Sequence, residues 1–253
     1  MIRYGITSYH RPQCETLRTL LNMGAEPERI LVHLNDQRDI EPYAERWEGK
    51  AELRYARKYN AAGNRNNILE YLAGTRDDLV ILDDDIRSFA AFDASYGKWG
   101  RWNTIEEIAE LDRYMEECFA KAREVGADIF GLTSTTNSMT TKGTLQADGL
   151  WSVNKNFMGG FTGIINRARR FDETYDVQDD YELNLRILKS GGKIIRRNGL
   201  TSFRAPMTKA AGGCKEFYDM GLKAACMERM AEEYRGMVKI KKDGTGLVLT
   251  WKG

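Results

Sequence analysis

The sequence lacks any apolar run that approaches the roughly 20 residues needed to cross a bilayer. It also lacks a signal-peptide core, because its opening residues, MIRYGITSYHRP, already have the pattern of a strand. Only four of 253 residues are cysteine, with no CxxC pair, which argues against a disulfide framework or a zinc site. Only four are proline, while 42% are apolar, which argues against disorder. We expect a cytoplasmic globular protein without a membrane partner.

The net charge of +1 conceals an uneven distribution along the chain. Residues 186–253 carry 15 basic and 6 acidic side chains, whereas residues 1–185 carry 23 basic and 31 acidic ones. A basic C-terminal third on an acidic body favours a polyanionic partner. Ordinary solvated surface charge explains the same counts, and charge alone favours that simpler interpretation.

The first half of the chain alternates strand and helix patterns, which predicts an α/β fold with a mainly parallel central sheet and helices on both faces. Ligands bind such sheets beyond the carboxyl ends of the strands. The loop Tyr9–Pro12 and the aspartates 83–85 follow strands, so both are expected at that edge. The strands are predicted at Ile2–Thr7, Ile30–Leu34, Glu52–Ala56 and Leu79–Leu82, and the helices at Cys14–Leu21, Tyr43–Trp47 and Ala61–Leu72.

The second half has a weaker pattern and predicts a mixed arrangement. Thr104 and Glu107 have capping-box spacing for a helix that ends at Val125. The polar segment Thr133–Asp148 is predicted to be a loop. Asp243 and Gly244 predict the turn of a final hairpin. Further strands are predicted at Asp128–Leu132, Trp151–Asn154, Phe161–Asn166, Ile194–Arg196, Thr201–Arg204 and Leu247–Trp251, and further helices at Asp179–Lys189 and Lys215–Tyr234.

The segment VILDDDI, residues 80–86, is the strongest sign of chemistry, because a buried strand ends in three adjacent carboxylates. Three like charges repel one another, and a bound divalent cation removes that cost. Carboxylate oxygens suit Mg²⁺ or Mn²⁺. Strand alternation puts Asp83 and Asp85 on one side and Asp84 on the other. The alternative is an exposed acidic turn.

Three further segments carry candidate site residues. Arg65, at the start of the helix NAAGNRNNILEYL, has a planar cation suited to phosphate. Asp179 and Asp180 begin the helix of VQDDYELNLRILK, where they serve either as a general base or as an N-cap. Gly160, in FMGGFTG (residues 157–163), permits close approach of a ligand, although a plain hairpin turn explains the same glycines.

Together, the TSYHRP loop, the Gly-x-Arg-Asn helix start and LDDDI resemble the GT-A glycosyltransferases. That resemblance implies a single Rossmann-like GT-A domain over residues 1–253. Residues 1–103 would form its nucleotide-sugar half and residues 104–253 its acceptor half. It implies Asp85 and then Asp83 as ligands of Mn²⁺ or Mg²⁺, and Asp180, with Asp179 second, as the base on the acceptor hydroxyl. The implied contacts to the nucleotide sugar, expected to be a UDP-sugar, are Thr7, Tyr9, Arg11, Arg65, Asp83, Asp84 and Gly160.

One departure from that family concerns histidine. GT-A enzymes often add a histidine metal ligand from the C-terminal region, but His10 and His33 are the only histidines here. His33 lies in a predicted strand and is expected to be a core residue. The resemblance therefore leaves the third metal ligand open.

The segment 208–244 resembles the C-terminal part of the TET/JBP-associated glycosyltransferases, a group found largely in bacteriophages. That resemblance implies hydroxymethylated pyrimidines in DNA as the acceptor, and the host cytoplasm as the location if a phage encodes the chain. The basic third fits a DNA backbone. The cations expected near DNA are Arg196, Arg197, Arg204, Lys209 and Lys215.

Two other activities and one inactive alternative stay open at this point. A GT-A enzyme can instead act on a protein, a glycan or a small molecule. A sugar nucleotidyltransferase also combines an α/β sheet with acidic metal ligands, but it usually has a glycine-rich loop after the first strand, which TSYHRPQ lacks. A binding module without catalysis would require inert aspartates.

Overall fold

The computed structural model of the chain describes residues 1–56, 60–155, 160–204 and 220–251. These residues form thirteen strands and seven α-helices, with 3-10 turns at Pro27–Arg29 and Gln37–Asp39. The strands are β1 (Ile2–Ser8), β2 (Ile30–Leu34), β3 (Glu52–Tyr55), β4 (Asp78–Asp83), β5 (Ile86–Asp93), β6 (Arg101–Ile105), β7 (Ile129–Leu132), β8 (Trp151–Val153), β9 (Phe161–Ile164), β10 (Ile194–Arg197), β11 (Leu200–Arg204), β12 (Val238–Ile240) and β13 (Leu247–Leu249). The helices are α1 (Glu15–Asn22), α2 (Ile40–Trp47), α3 (Ala61–Tyr71), α4 (Ile108–Val125), α5 (Ser138–Asp148), α6 (Asp179–Lys189) and α7 (Leu222–Glu233).

The main sheet has eight strands in the order β3-β2-β1-β4-β9-β7-β10-β8. Strands β3, β2, β1 and β4 are mutually parallel, as are β7 and β10, whereas β9 and β8 are antiparallel to their neighbours. Alternate residues of β4 enter different cores: Val80 and Leu82 join one cluster with α1 and α4, and Leu79 and Ile81 join another with α3, α6 and α7. This arrangement confirms the predicted α/β fold with helices on both faces.

A second, antiparallel sheet has the order β11-β5-β6 and begins directly after the three aspartates. It shows that the capping box predicted from Thr104 and Glu107 is wrong. Thr104 lies in β6, paired with Ala90, and α4 begins at Ile108 with no side-chain cap. Pairing between strands thus overrode a local helix-start signal.

The segment predicted as the loop Thr133–Asp148 is a second correction, because its last eleven residues form α5. Asn137 caps this helix by accepting a hydrogen bond from the Thr140 amide at 3.0 Å. The C-terminal hairpin at Asp243–Gly244 is confirmed by the antiparallel pairing of β12 and β13. The predicted helix Lys215–Tyr234 is described only from residue 220, where α7 covers Leu222–Glu233.

Three of the four cysteines lie in the described ranges. Cys14, Cys118 and Cys226 are buried free thiols, and Cys214 lies outside the described ranges. Within those ranges, none of the helices combines the length and the apolar character that crossing a bilayer requires.

Candidate active site

The carboxyl ends of β1 and β4 lie side by side, because the two strands are parallel neighbours with Thr7 opposite Asp83. The Arg11 guanidinium donates to Asp84 at 2.8 Å, and the Ser8 hydroxyl donates to the other oxygen of the same carboxylate. The Tyr43 hydroxyl donates to the Arg11 carbonyl at 2.6 Å. These contacts fix the loop after β1 against the aspartates, as the topology predicted.

Helix α1 holds the backbone of the aspartate turn. The Thr16 hydroxyl donates to the Asp83 carbonyl at 2.5 Å and accepts from the Ile86 amide at 2.9 Å, while the Thr16 amide donates to the Asp84 carbonyl at 3.2 Å. Thr16 is fully buried. The Thr19 hydroxyl of the same helix lies 3.1 Å from the Ile86 carbonyl, so two threonines of α1 hold the turn between β4 and β5 from one side.

Arg65 joins the aspartate turn to the start of α6. Its guanidinium donates to Asp83 at 2.8 Å and, through the other terminal nitrogen, to Asp179. The side chain is only 8% exposed and lies 5.4 Å from the Phe171 ring centroid. Asn60 caps the helix that carries Arg65, accepting from the Gly63 amide at 3.0 Å. Although burial raises the pKa of Asp83, Arg65 and Arg204 bring it below its usual value.

Asp85 has the least satisfied carboxylate of the three. Its Oδ1 atom is buried and has no hydrogen-bond partner in the part of the chain that the structure describes. Its Oδ2 atom lies 3.6 Å from Arg11 Nη1. Burial, reinforced by the neighbouring Asp83 charge, raises the pKa of Asp85 to about 6. The Asp85 carboxylate thus combines a raised pKa with a buried oxygen that has no hydrogen-bond donor in the described residues, and a bound cation would satisfy that oxygen.

Arg204, which the sequence assigned to DNA contact, lies at the aspartate cluster, and its contact with DNA stays a prediction. Its guanidinium donates to Asp83 at 3.2 Å, because the pairing of β11 with β5 sets Arg204 opposite Ile86. The same group lies where a side chain on Gly160 would be: an added Cβ would come within 1.7 Å of Arg204 Nη2. Gly160, at φ +87°, therefore leaves room for Arg204. Its predicted close approach to a sugar stays a prediction.

Helix α6 begins at Asp179 after Gln178, which has a left-handed backbone. Asp179 is buried on Arg65, while Asp180 is partly exposed and accepts from the Tyr181 amide at 2.7 Å. Desolvation by surrounding protein atoms raises the pKa of Asp180, and Asp179 and Asp83 add to this effect against the opposing charge of Arg65. A partly exposed carboxylate with a raised pKa suits a general base, whereas Asp179 has a structural partner.

The loop after β1 has an unusual backbone. His10 and Cys14 have positive φ values of 55° and 34°, which cost free energy in non-glycine residues. Tyr9 packs against the His10 ring with centroids 3.9 Å apart. Thr7 is buried, with its hydroxyl 3.4 Å from the Leu82 carbonyl. The predicted nucleotide contacts of Thr7, Tyr9 and Arg11 stay predictions, with Thr7 the least accessible.

The other cations assigned to DNA have protein partners where they are described. Arg197 is buried, 5.1 Å from the Trp151 ring centroid, and Arg196 donates to Asn198 at 3.0 Å. Lys209 and Lys215 lie outside the described residues. DNA contact by these residues therefore stays a prediction, and the described ones lie mostly within the fold.

A divalent cation fits this site only in part. Across the described ranges, no three His, Cys, Asp or Glu side chains are grouped so that they could hold a metal ion. Asp85 offers a buried, unpaired oxygen, but Asp83 and Asp84 are already paired with arginines. Mg²⁺ usually keeps several waters and takes one or two carboxylates together with substrate phosphates. The aspartate oxygens therefore suit a metal ion that binds together with the phosphates of a ligand.

Sequence reasoning missed Ser8, Thr16, Tyr43 and Asn60, which orient the site from four different elements. Only Asn60 had a local signal, since asparagine before a helix is a common cap. His33 was correctly predicted as a core residue: it is 3% exposed and hydrogen-bonded to Asn64. Gly159 lies outside the described residues.

Comparison with known proteins adds little to this geometry. No family model matches the chain, and no curated protein sequence matches it. Among solved structures, it is similar to a CMP-2-keto-3-deoxy-manno-octonic acid synthetase in complex with CTP (11% identity, 92% of this chain and 99% of that chain, TM-score 0.44). It is also similar to a mannose-1-phosphate geranyltransferase from Thermus thermophilus (14% identity, 92% of this chain and 62% of that chain, TM-score 0.35). Likenesses this weak carry no conclusion about activity.

Proposed function

We propose that this chain is a metal-dependent glycosyltransferase that moves a sugar from a nucleotide diphosphate sugar to an acceptor hydroxyl. The observation that carries the proposal is the contact of Arg65 with both Asp83 and Asp179. One buried cation thereby joins the aspartate turn to the start of α6, where Asp180 lies. Sugar transfer requires a donor site and a general base held at a fixed distance from each other. Arg65 would fix that distance, because it contacts both the aspartate turn and the start of α6.

The reaction assigns a separate task to each group. The bond between the sugar anomeric carbon and the phosphate oxygen breaks, and a bond to the acceptor oxygen forms. Asp180 takes the acceptor proton, which the raised pKa of its carboxyl favours. Arg11 and Arg204, both near the aspartates, would stabilise the negative charge of the departing nucleoside diphosphate.

Asp85 would be the first ligand of Mn²⁺ or Mg²⁺, and Asp83 the second. When bound, the metal supplies charge neutralisation to the diphosphate leaving group. The support is the unpaired buried oxygen of Asp85 together with its elevated pKa. Because the residues that the structure describes offer at most two carboxylates to the metal, we expect metal affinity to depend on the nucleotide.

For the acceptor, we propose a hydroxymethylated pyrimidine in DNA. The support is the basic C-terminal third and the sequence resemblance of residues 208–244 to glycosyltransferases that act on such bases. UDP-sugars are the expected donors on the resemblance to GT-A glycosyltransferases.

A sugar nucleotidyltransferase is the second candidate. It is favoured by the position of Arg11, since a cation on the loop after β1 and against the aspartates equally suits a nucleoside triphosphate. That activity would join a nucleoside triphosphate to a sugar phosphate and release pyrophosphate. The loop TSYHRPQ has no glycine to approach the triphosphate, which favours the glycosyltransferase.

One experiment separates these activities. The protein is incubated with Mn²⁺, a panel of nucleotide sugars, and duplex DNA that contains 5-hydroxymethylcytosine, 5-hydroxymethyluracil or only normal bases. Digested nucleosides are read by mass spectrometry, and Asp85→Ala is the control. A sugar-sized mass gain on one modified base, absent in the control, supports the whole proposal.

Three other outcomes correct it in different ways. Metal-dependent hydrolysis of one nucleotide sugar without a gain on DNA keeps the glycosyltransferase and overturns the DNA acceptor, and other hydroxyl acceptors are then screened. In a parallel incubation with a nucleoside triphosphate and a sugar phosphate, release of pyrophosphate, without sugar transfer in the first incubation, establishes the nucleotidyltransferase instead. Binding without turnover of any of these compounds leaves only a binding module.

A further inference from the structure

The tip of the β5–β6 hairpin exposes aromatic rings that the proposed active site does not use. Tyr96 is 53% exposed and Trp99 is 50% exposed, more than any other aromatic side chain in the described part of the chain. Lys98 lies 4.7 Å from the Trp99 ring centroid, and the Arg101 guanidinium lies 4.0 Å from that of Tyr96. We call these four residues the hairpin platform.

The loop that carries the platform is held in position by aromatic packing and by hydrogen bonds to neighbouring elements. The Phe92 ring packs under Gly100, where an added Cβ would come within 2.4 Å of it, and Phe92 meets Trp102 at 5.1 Å. Trp102 donates its indole N–H to the Thr136 carbonyl at 3.0 Å. Lys142 of α5 donates to the Lys98 carbonyl, also at 3.0 Å. The exposed rings therefore sit on a preorganised support, which lowers the entropic cost of binding.

The local charge indicates what the platform binds. Lys98 and Arg101 are exposed cations, Lys142 adds a third, and Asp93 is the acidic group at the base of the loop. Asp93 is engaged by Ser95, whose amide and hydroxyl donate to it at 2.9 and 2.6 Å. A net positive surface with stacked aromatic rings complements an anionic chain of planar bases.

We propose that the hairpin platform binds the nucleic-acid strand that flanks the acceptor base, with bases stacking on Tyr96 and Trp99 and phosphates on Lys98 and Arg101. The proposal rests on the DNA acceptor proposed above. It assigns DNA contact to residues other than the basic C-terminal cations.

The distance between the aspartates and the platform sets the length of DNA that can contact both. Strand β5 starts directly after Asp85 and runs for eight residues to Asp93. At ~3.3 Å per residue this is at most about 26 Å. At ~3.4 Å per nucleotide, a stacked strand needs about eight nucleotides to span from the aspartates to the platform. Shorter oligonucleotides are expected to gain nothing from it.

The test measures the affinity of fluorescently labelled DNA of normal sequence, single-stranded and duplex, from 4 to about 20 nucleotides, by anisotropy at several salt concentrations. We expect the Tyr96→Ala/Trp99→Ala variant to weaken binding of the longer DNA about tenfold or more, because each stacked base contributes substantially. The Lys98→Ala/Arg101→Ala variant should also weaken binding and reduce its salt dependence.

Tyr71→Ala is the matched control. Tyr71 is 43% exposed and stacks with the Arg54 guanidinium at 4.4 Å, but Glu52 neutralises that pair. It should leave DNA affinity unchanged. The thermal unfolding midpoint of each variant checks that the hairpin still folds.

The outcomes separate this inference from the proposed function. Loss of affinity in both platform variants but not in the control supports it. Equal DNA affinity in all variants overturns it and leaves the DNA acceptor standing. If the wild-type protein binds no DNA, the platform and the DNA acceptor both fall, while turnover of a nucleotide sugar, measured separately on the wild type, still tests the glycosyltransferase.

Discussion

The Arg65 guanidinium is hydrogen-bonded to the Asp179 carboxylate, although 114 residues separate them in the chain. Both side chains are buried, and each lies in the first turns of its helix. This pair fixes the start of α6, and therefore Asp180, relative to the aspartates that follow β4. The spacing between the proposed donor site and the proposed base thus depends on the two ion pairs of Arg65.

Replacing Arg65 with Met should be severely destabilising. The substitution leaves Asp83 and Asp179 without their shared buried cation, and breaking a buried pair in this way costs about 3–5 kcal/mol. Urea denaturation measures the change. Arg54→Met is the control, because that half-exposed arginine pairs with Glu52 at the surface, where an ion pair contributes little, and the substitution should cost far less stability. Similar small losses for both variants would show that Arg65 is not a structural bridge.

Substitution of the two aspartates at the start of α6 should have opposite effects on stability. Asp180→Asn removes a carboxylate whose ionisation the folded state disfavours, so it should stabilise the protein at neutral pH and lower sugar transfer about a hundredfold or more. Asp179→Asn takes a charged partner from Arg65 and should destabilise the fold. Unfolding curves and transfer rates are measured on both variants. If Asp180→Asn retained full transfer, Asp180 would not be the base.

The pH profile should follow the raised pKa of Asp180. A general base must be ionised, so transfer should fall as the pH drops through that pKa, which lies above the usual value of about 3.9 for aspartate. The acid limb is read from kcat/KM for the acceptor with the donor saturating. It should disappear from the residual activity of Asp180→Asn. An unchanged acid limb in that variant would assign the titration to another group.

Gly160→Ala should act through Arg204. The new methyl group would occupy the position of the guanidinium, and the flexible arginine would move away from Asp83. We expect nucleotide-sugar affinity, measured by calorimetry, to weaken about tenfold, as expected for one charge-assisted hydrogen bond. Gly126→Ala is the matched control: it has a similar positive φ of 70° with nothing within 4 Å of an added Cβ. Both variants should lose stability through backbone strain. Equal donor affinity in the two would exclude Arg204 from the donor site.

Local patterns predicted the elements that have a clear hydrophobic or capping signal, and missed those that lack one. The boundaries of β2 and α6 were predicted to the residue, because a buried apolar run and an acidic helix start are strong local signals. The β5–β6 hairpin was missed, since its polar and aromatic residues have no clear alternation and Thr104 imitates a helix cap.

The same distinction applies to the site. Asp83 and Asp85 follow a strand end, so topology predicted them at the ligand-binding edge of the sheet, whereas Arg65 and Asp180 were joined to them by the resemblance to GT-A glycosyltransferases. Arg204 was assigned to DNA because its sequence neighbourhood is basic, and only the register of β11 against β5 shows that it faces Asp83. A contact between residues 121 positions apart leaves no local signature in the sequence.

The most direct test of the central claim is a calorimetric titration of nucleotide sugars, with UDP-sugars first, into the wild-type protein and Asp85→Asn, each with and without Mn²⁺. We expect that the wild type binds one nucleotide sugar tightly only when Mn²⁺ is present, that Mn²⁺ alone binds weakly, and that Asp85→Asn loses the metal-dependent gain. Nucleotide-sugar binding that is the same with and without Mn²⁺, or the same in Asp85→Asn, would contradict that claim.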